Sequence, residues 1–207
     1  MQDTFNQSEL KILKSLNNPK KVQDFLNKIK INFEEQEDTC MSPHLVLKKR
    51  KAHCMEGALF AAAALELQGH PAKVLDLTAA GRDFDHVVAV FRQHGNWGAI
   101  SKTNHAVLRY REPVYKTIRE LVMSYFHEYF MDNGKKTLRS YSNPISLKRF
   151  NKINWKTSEA NLFEIPEYLA EVKHHTILKK HHIKNLRRAD KIEIQAGKII
   201  QFKKDKD

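Results

Sequence analysis

The feature that most constrains the fold is a strongly apolar, alanine-rich segment that follows Cys54. Apolar residues recur at helical spacing from Ala58 to Leu65, and alanine is the strongest helix former. Gly69 and Pro71 end the segment, because glycine caps helices and proline breaks them. The pattern therefore predicts a helix whose first turn carries Cys54.

Two or three strands are predicted directly after this helix. Residues 72–77 (AKVLDL) and 86–91 (HVVAVF) have the β-branched and apolar composition of strands. The residues between them, 78–85, are polar, and 93–96 (QHGN) are typical of a hairpin turn. The chain then returns through 97–101 (WGAIS). The expected fold is α+β, with a Cys-bearing helix packed on an antiparallel sheet.

The positions of one cysteine and one histidine in these elements indicate a chemistry. A helix N-terminus favours an anion, and the basic run 48–53 (KKRKAH) adds positive potential, so Cys54 is expected to ionise readily. His86, inside a strand, would take the thiol proton if it lies within hydrogen-bond reach. The leading hypothesis is a cysteine-nucleophile acyl-transfer site. The alternative is that each is structural, the cysteine as a small buried hydrophobe.

The order of these elements resembles the transglutaminase-like superfamily of papain-type folds. In that family the nucleophilic Cys opens a helix, a GxPA-type segment begins the next strand, and the His lies in the following strand. Residues 69–72 (GHPA), 85–90 (DHVVAV) and 97–101 (WGAIS) take these places here. The resemblance covers roughly residues 50–101 and implies a protease, amidase or transglutaminase-like activity on a peptide, amide or protein substrate, with no cofactor.

The third catalytic position departs from this family pattern. Ser101 stands where the family usually has Asp at the end of the strand after the Trp. Serine can accept a hydrogen bond from the Nδ1–H of His86, but it brings no charge to stabilise an imidazolium. Asn104 is the second candidate, because Cys-His-Asn triads exist, and Asp83 in the preceding loop is the third. Asp85, adjacent to the histidine, is expected to point to the opposite face.

The remaining chain divides into an N-terminal region, the core and an extension. Residues 1–40 are expected to form amphipathic helices that pack on the core. The transglutaminase-like core spans residues 41–132 and ends in a helix that starts at Pro113, whose aromatic stripe is expected to be buried. Residues 133–207 form a basic C-terminal extension, with a terminal hairpin over 191–202.

The charge of the chain motivates a second function. Of the formal net charge of +12, residues 131–207 contribute 18 Lys and Arg against 9 Asp and Glu. Dense positive charge attracts phosphates without reading sequence. Because Ser101 weakens the triad, the alternative is a catalytically degraded transglutaminase-like scaffold that binds nucleic acid or an acidic protein. A solvated basic face with no partner is also consistent with this composition.

Metal and membrane binding are not expected. Two sets of potential ligands occur, namely the histidine pairs at 174–175 and 181–182, and the set Cys40, His44, His53 and Cys54. Neither has the regular spacing or the complete ligand set of a zinc site. With two cysteines, no apolar signal-peptide core and no apolar run long enough for a membrane span, the expected location is the cytoplasm.

Overall fold

A computed structural model describes residues 5–204 and has the α+β architecture expected from the sequence. Its helices are α1 (Gln7–Ser15), α2 (Pro19–Lys28), α3 (Pro43–Lys49), α4 (Cys54–Leu67), α5 (Ile118–Met123), α6 (Glu164–Glu171), α7 (Lys180–Lys184) and α8 (Lys191–Gly197), with a 3-10 helix at Leu147–Ile153. Its strands are β1 (Lys30–Ile31), β2 (Lys51–Ala52), β3 (Lys73–Ala79), β4 (His86–Gln93), β5 (Asn96–Ile100), β6 (Arg111–Tyr115), β7 (Leu138–Ser142), β8 (Ile145–Ser146) and β9 (His174–Thr176).

The main sheet is antiparallel and positions the strand that carries His86. Its strand order is β6-β5-β4-β3-β7-β9, and β8 also pairs with β3. In the pairing of β3 with β4, Leu77 lies opposite His86, and in the pairing of β4 with β5, Val90 lies opposite Ala99. The predicted strands β3, β4 and β5 are confirmed within two residues at each end.

Helix α4 is buried around its whole circumference. Every residue from Met55 to Leu65 is buried, which fits a helix without a polar face. One side packs on the sheet face that carries Val87 and Ala89. The other side is covered by the N-terminal helices, which contribute residues such as Leu13 and Leu26 to the same core. The helices α1 and α2 thus pack against α4 in one hydrophobic core.

The start of α4 is anchored to the rest of the chain by a small parallel pairing. Strand β1 pairs with β2, which ends two residues before Cys54. One turn into the helix, Gly57 permits a close approach of the β5–β6 connection: a Cβ at this position would lie 2.3 Å from Cβ of Lys102. These contacts place the first turn of α4 against the end of the sheet where β4 begins.

The predicted helix from Pro113 is wrong in extent. Pro113 lies in β6, an edge strand of the sheet in the described residues, where a missing N–H can be tolerated. The helix is shorter, because α5 begins only after Thr117, whose side chain accepts a hydrogen bond from Glu120 N. The aromatic residues that follow are nevertheless buried, as expected, on the second face of the sheet, with Tyr125 fully buried.

The predicted terminal hairpin is also wrong. Residues Lys191–Gly197 form α8, because Asp190 and Glu193 make a capping box at its start. The residues after α8 do not return along it. Ile200 instead forms an isolated antiparallel bridge with His105 in the β5–β6 connection. In residues 5–204, no helix is long and apolar enough to span a membrane.

Candidate active site

Cys54 is the first residue of α4, and the helix start is rigidly built around it. His53 is the N-cap residue, in extended conformation with φ −92° and ψ −171°. The carboxylate of Glu56 reaches back and accepts a hydrogen bond from His53 N at 2.9 Å, which completes a capping box. In the described part of the chain, the backbone N–H of Cys54 has no hydrogen-bond partner, so it remains available at the positive end of the helix.

Two imidazole rings act on the Cys54 thiol. His53 and His86 line the same cleft as Cys54, and both interact with the thiol strongly enough to shift its pKa, so the structure brings the predicted Cys–His pair together. Burial of the thiol raises its pKa, because a buried anion is poorly solvated. The two rings outweigh burial through hydrogen bonding and positive charge and lower the pKa of Cys54 to about 5. A thiol in this state is already ionised at neutral pH and is an activated nucleophile.

Ser101 contacts the ring of His86, on the nitrogen opposite to the one expected. His86 Nε2 lies 2.8 Å from Ser101 Oγ, and Ser101 Oγ donates its proton to Leu108 O at 2.5 Å. A hydroxyl has one proton, so Ser101 must accept from His86, and Nε2 carries the ring proton. The expectation of an Nδ1–H donor is therefore corrected. In a neutral ring, Nδ1 is then the unprotonated nitrogen that can accept a proton.

Leu108 holds this arrangement through a strained backbone. Its φ of 59° lies in the left-handed region, which costs a residue other than glycine about 1–3 kcal/mol. The surroundings fix it on both sides: Leu108 N donates to Glu128 Oε2 at 2.8 Å, and Leu108 O accepts from Ser101. Glu128 is itself held by Arg111 at 2.7 Å. The strain thus serves to aim one carbonyl at Ser101.

The backbone of Ser101 is held equally firmly by an N-terminal helix. Gln23 in α2 donates from Nε2 to Ser101 O at 2.8 Å and accepts from Ser101 N at 3.0 Å, through Oε1. Both residues are buried, so each hydrogen bond is protected from water. The orientation of His86 therefore depends on α2 as well as on the sheet.

His53 was not among the residues expected to act chemically. Its Nε2 lies 2.9 Å from Thr39 O and 3.5 Å from both Glu34 Oε1 and Glu56 Oε1. Burial opposes charging of the ring, yet its hydrogen bond with Cys54 and the charge of Glu56 prevail and raise the pKa of His53 to about 9. The only sequence signal was its position directly before the cysteine in a basic run.

Glu56 is the structural centre of the helix start. Its side chain is 0% exposed, and it accepts hydrogen bonds from Asn32 Nδ2, Thr39 Oγ1 and Met41 N. Together with the bond from His53 N, these contacts satisfy a buried carboxylate. Glu56 is thus an acidic residue in the first turn of α4 that caps the helix, and it also ties residues 32–41 to the cysteine.

The other proposed ring-orienting residues are engaged elsewhere. Asn104 exchanges two hydrogen bonds with the backbone of Phe202, at 2.8 and 2.9 Å, so it ties the C-terminal segment to the cleft wall. Asp83 accepts hydrogen bonds from Phe84 N and Thr137 Oγ1, and Asp85 accepts from Ala79 N. These alternatives are therefore corrected, because Ser101 is the residue in contact with the ring.

Cys54 and His86 open into a cleft of about 710 Å³. The loop that precedes His86 forms one wall, and it exposes the ring of Phe84 to 86%. The backbone of this loop is fixed, because Phe84 O accepts a hydrogen bond from Tyr129 Oη. Residues 102–108 form another wall. An exposed aromatic ring beside the histidine, on a loop whose backbone is anchored, is suited to contact an apolar group of a substrate.

The histidine pairs of the extension lie on different elements. His174 is in β9, where Nε2 contacts Asp76 Oδ2 at 2.9 Å, whereas residues 181–182 are in α7. The two pairs therefore do not lie on one helix. In residues 5–204, no group of three or more His, Cys, Asp or Glu side chains has an arrangement that could hold a metal ion.

Comparison with known proteins adds no relative from which a function could be transferred. No protein-family model matches the chain, and no curated protein matches it. The chemistry of the site must therefore be argued from its own residues.

Proposed function

We propose that this protein is a cysteine-nucleophile acyl-transfer enzyme built on a transglutaminase-like, papain-type arrangement. The observation that carries the proposal is the thiol of Cys54 at a helix start, in contact with His86, inside a cleft. The order of the elements supports the family resemblance: α4 opens with the cysteine, β4 opens with the histidine, and β5 leads into Ser101. Protease, amidase and transglutaminase-like reactions share the first half of the reaction, in which the cysteine becomes acylated.

The proposed reaction begins with transfer of the thiol proton to Nδ1 of His86. The thiolate sulfur attacks the carbonyl carbon of an amide or ester, and the C=O π pair moves onto the oxygen. When the tetrahedral intermediate collapses, the bond to the leaving group breaks and Nδ1 returns its proton to that group. Water or an amine, deprotonated by the same nitrogen, then attacks the acyl-Cys54 and releases the thiolate.

The oxyanion of the tetrahedral intermediate needs hydrogen-bond donors that lie close to the Cys54 sulfur. The free backbone N–H of Cys54 is the natural donor, because it sits at the N-terminus of α4, where the helix dipole favours negative charge. Removing one such donor in a comparable site costs about 100- to 1000-fold in kcat. The proposal therefore needs no metal to stabilise the developing charge.

The neutral Ser101 is compatible with this chemistry. Its acceptor oxygen fixes the Nε2–H tautomer of His86, because its own proton is committed to Leu108 O. An aspartate would add a charge that stabilises an imidazolium, which Ser101 does not provide. The proposal accordingly assigns Ser101 an orienting role, while the charge that stabilises the thiolate must come from elsewhere.

An activated ester tests the proposal without knowledge of the natural substrate. With p-nitrophenyl acetate, wild-type protein should release p-nitrophenol in a burst equivalent to the enzyme concentration, followed by slower turnover. Cys54→Ala and His86→Ala should lose the burst, whereas Cys40→Ala, which removes the other thiol, should retain it. Adding a primary amine in excess should accelerate the second phase if the enzyme transfers acyl groups to amines. Equal release by wild type and Cys54→Ala would refute the proposal.

A second candidate function, binding of a polyanion, is favoured by the surface of the extension. Lys179, Lys180, Lys184, Arg188 and Lys191 are all exposed within a short stretch of chain. Their charge would attract either the phosphates of a nucleic acid or the carboxylates of an acidic protein segment. Binding to random-sequence RNA should weaken steeply with salt, and glutamine at these five positions should abolish it. No binding at low salt would remove this candidate.

A further inference from the structure

We propose that His53 is a second functional imidazole, which holds the negative charge of the Cys54 thiolate while His86 carries the proton. This inference rests on the proposed function, and it assigns a role to a residue outside the Cys–His–Ser chain. The usual aspartate would stabilise a positively charged His86, which the neutral Ser101 does not do. In this proposal His53 supplies the positive charge that stabilises the thiolate.

The ring of His53 has carboxylates on the side of its Nε2 atom. Its Nε2 faces Thr39 O, Glu34 Oε1 and Glu56 Oε1 at 2.9, 3.5 and 3.5 Å. That edge of the ring is therefore occupied, and Nδ1 is the ring nitrogen left for the neighbouring thiol, with which His53 shares the cleft. Nucleophile, imidazole and carboxylate thus follow one another within the first turn of α4, as Cys54, His53 and Glu56.

The negative groups behind the ring differ in how firmly they are fixed. Glu56 is fully buried and accepts hydrogen bonds from three residues of the segment 32–41, so its orientation is set. Glu34 is 31% exposed in its side chain and accepts from Thr39 N at 2.7 Å. Cys54 is the third titratable group that interacts with the His53 ring. A positive ring between two carboxylates and a thiol is electrostatically favoured.

Protonation at Nδ1 has one local consequence. Met55 N lies 3.3 Å from Nδ1 of His53, and a neutral ring accepts this hydrogen bond. A protonated Nδ1 gives up that contact and donates to the thiolate instead. The hydrogen bond from Met55 N that is lost is long, whereas a hydrogen bond between charged partners is about twice as strong as a neutral one. The exchange therefore favours the contact with the thiolate.

The two rings then have separate tasks. His53 stays protonated throughout the cycle and neither gains nor loses a proton. His86, whose Nε2–H is held by the neutral Ser101, takes the thiol proton at Nδ1 and delivers it to the leaving group. Balance is kept, because one proton leaves sulfur, passes through His86 and ends on the leaving group. His53 lowers the cost of the thiolate at the start and at the end of the cycle.

The test measures iodoacetamide alkylation of Cys54 as a function of pH in His53→Asn. Asparagine is a good N-cap residue, so this change removes the imidazole while it preserves the start of α4. The alkylation midpoint should rise by about one pH unit or more. Glu34→Gln, which leaves the ring in place, should raise it by a smaller amount. His105→Asn is the matched control: it removes another histidine that lines the cleft, and the midpoint should not move.

The outcomes separate this inference from the proposed function. An unchanged midpoint in His53→Asn, with circular dichroism showing a folded protein, would overturn the role of His53. If the p-nitrophenyl acetate burst still depends on Cys54 and His86, the acyl-transfer proposal survives that result. Conversely, a raised midpoint in a protein whose wild type gives no burst would support the role of His53 and count against acyl transfer.

Discussion

The titration of Cys54 should lie far below that of an ordinary cysteine. Its pKa is lowered from 9.0 to about 5, because the hydrogen bonds and charges of His53 and His86 outweigh burial. At 1.36 kcal/mol for each pKa unit, the site favours the thiolate by about 5 kcal/mol. At pH 7 about 99% of Cys54 is then thiolate, compared with about 1% for a thiol with the unshifted value.

The assay is alkylation by iodoacetamide between pH 4 and pH 10, as a set of buffers, with the labelled peptide identified by mass spectrometry. Cys40 provides an internal control, because it is 1% exposed and burial, reinforced by the charge of Glu56, raises the pKa of its thiol to about 12. Native protein should therefore be labelled only at Cys54. The midpoint of the pH profile is the diagnostic quantity, since the nucleophilicity of a thiolate falls with its pKa.

Two comparisons decide the interpretation of this titration. His86→Ala removes one of the two imidazoles and should raise the midpoint by about one pH unit or more. Denatured wild type should label both cysteines, with a midpoint near the free value of about 8.5. A native wild-type midpoint near that free value would refute the reasoning, because neither ring would then be stabilising the thiolate.

Three further predictions concern the support of the site. Ser101→Ala leaves Leu108 O without its hydrogen-bond donor, so the free energy of unfolding measured in urea should fall by about 1–3 kcal/mol, and ester turnover should fall as well. Ser101→Thr should retain both the stability and the turnover. Full turnover in the alanine variant would contradict this prediction. Gly57→Ala should lower the urea midpoint, although alanine has the better helix propensity. The new Cβ would lie 2.3 Å from Cβ of Lys102, at a packing cost of about 1–3 kcal/mol. An unchanged midpoint would be evidence against that close contact. Burial raises the pKa of Asp76 from 3.8 to about 6, so the folded state holds this proton more tightly than the unfolded state. Stability should therefore fall by about 3 kcal/mol as pH rises from about 4 to about 6, and Asp76→Asn should lack this decline; equal slopes in the two proteins would contradict it.

Local signals in the sequence were enough to predict the central part of the fold. The alanine-rich segment predicted α4, and its lack of a polar face matches a helix covered on both sides. The hairpin turn after β4 was predicted equally well from the sequence. His94 and Gly95 adopt positive φ values of 50° and 82° in this turn. The order of Cys54, His86 and Ser101 followed from these elements, and the structure brings all three into one chain of contacts.

Edges and termini were predicted less well, because their structure depends on partners. Pro113 was interpreted as a helix start, yet pairing with β5 at the edge of the sheet decided its conformation. The alternation of Ile192 and Ile194 suggested a strand, while the capping box of Asp190 and Glu193 favours the helix that forms. In both places a tertiary contact or an unnoticed cap outweighed the local pattern.

The supporting groups of the site could not be predicted from the sequence. Gln23 clamps Ser101 across 78 positions of chain, and Thr39 and Glu34 meet His53 only because of the path of residues 32–41. Nothing local signals that Leu108 adopts a left-handed conformation, since leucine disfavours it. Such groups are fixed by the folded arrangement, and they decide which nitrogen of His86 carries the ring proton.

The central claim, that Cys54 is the nucleophile of an acyl-transfer reaction, can be tested most directly by trapping the acyl-enzyme. Wild-type protein would be mixed with p-nitrophenyl acetate, quenched in acid during the burst, digested and analysed by mass spectrometry. The account predicts a single acetyl group on the peptide that contains Cys54 and none in His86→Ala quenched at the same time. Acetylation only at lysines, or equally at Cys40 and Cys54, would contradict it.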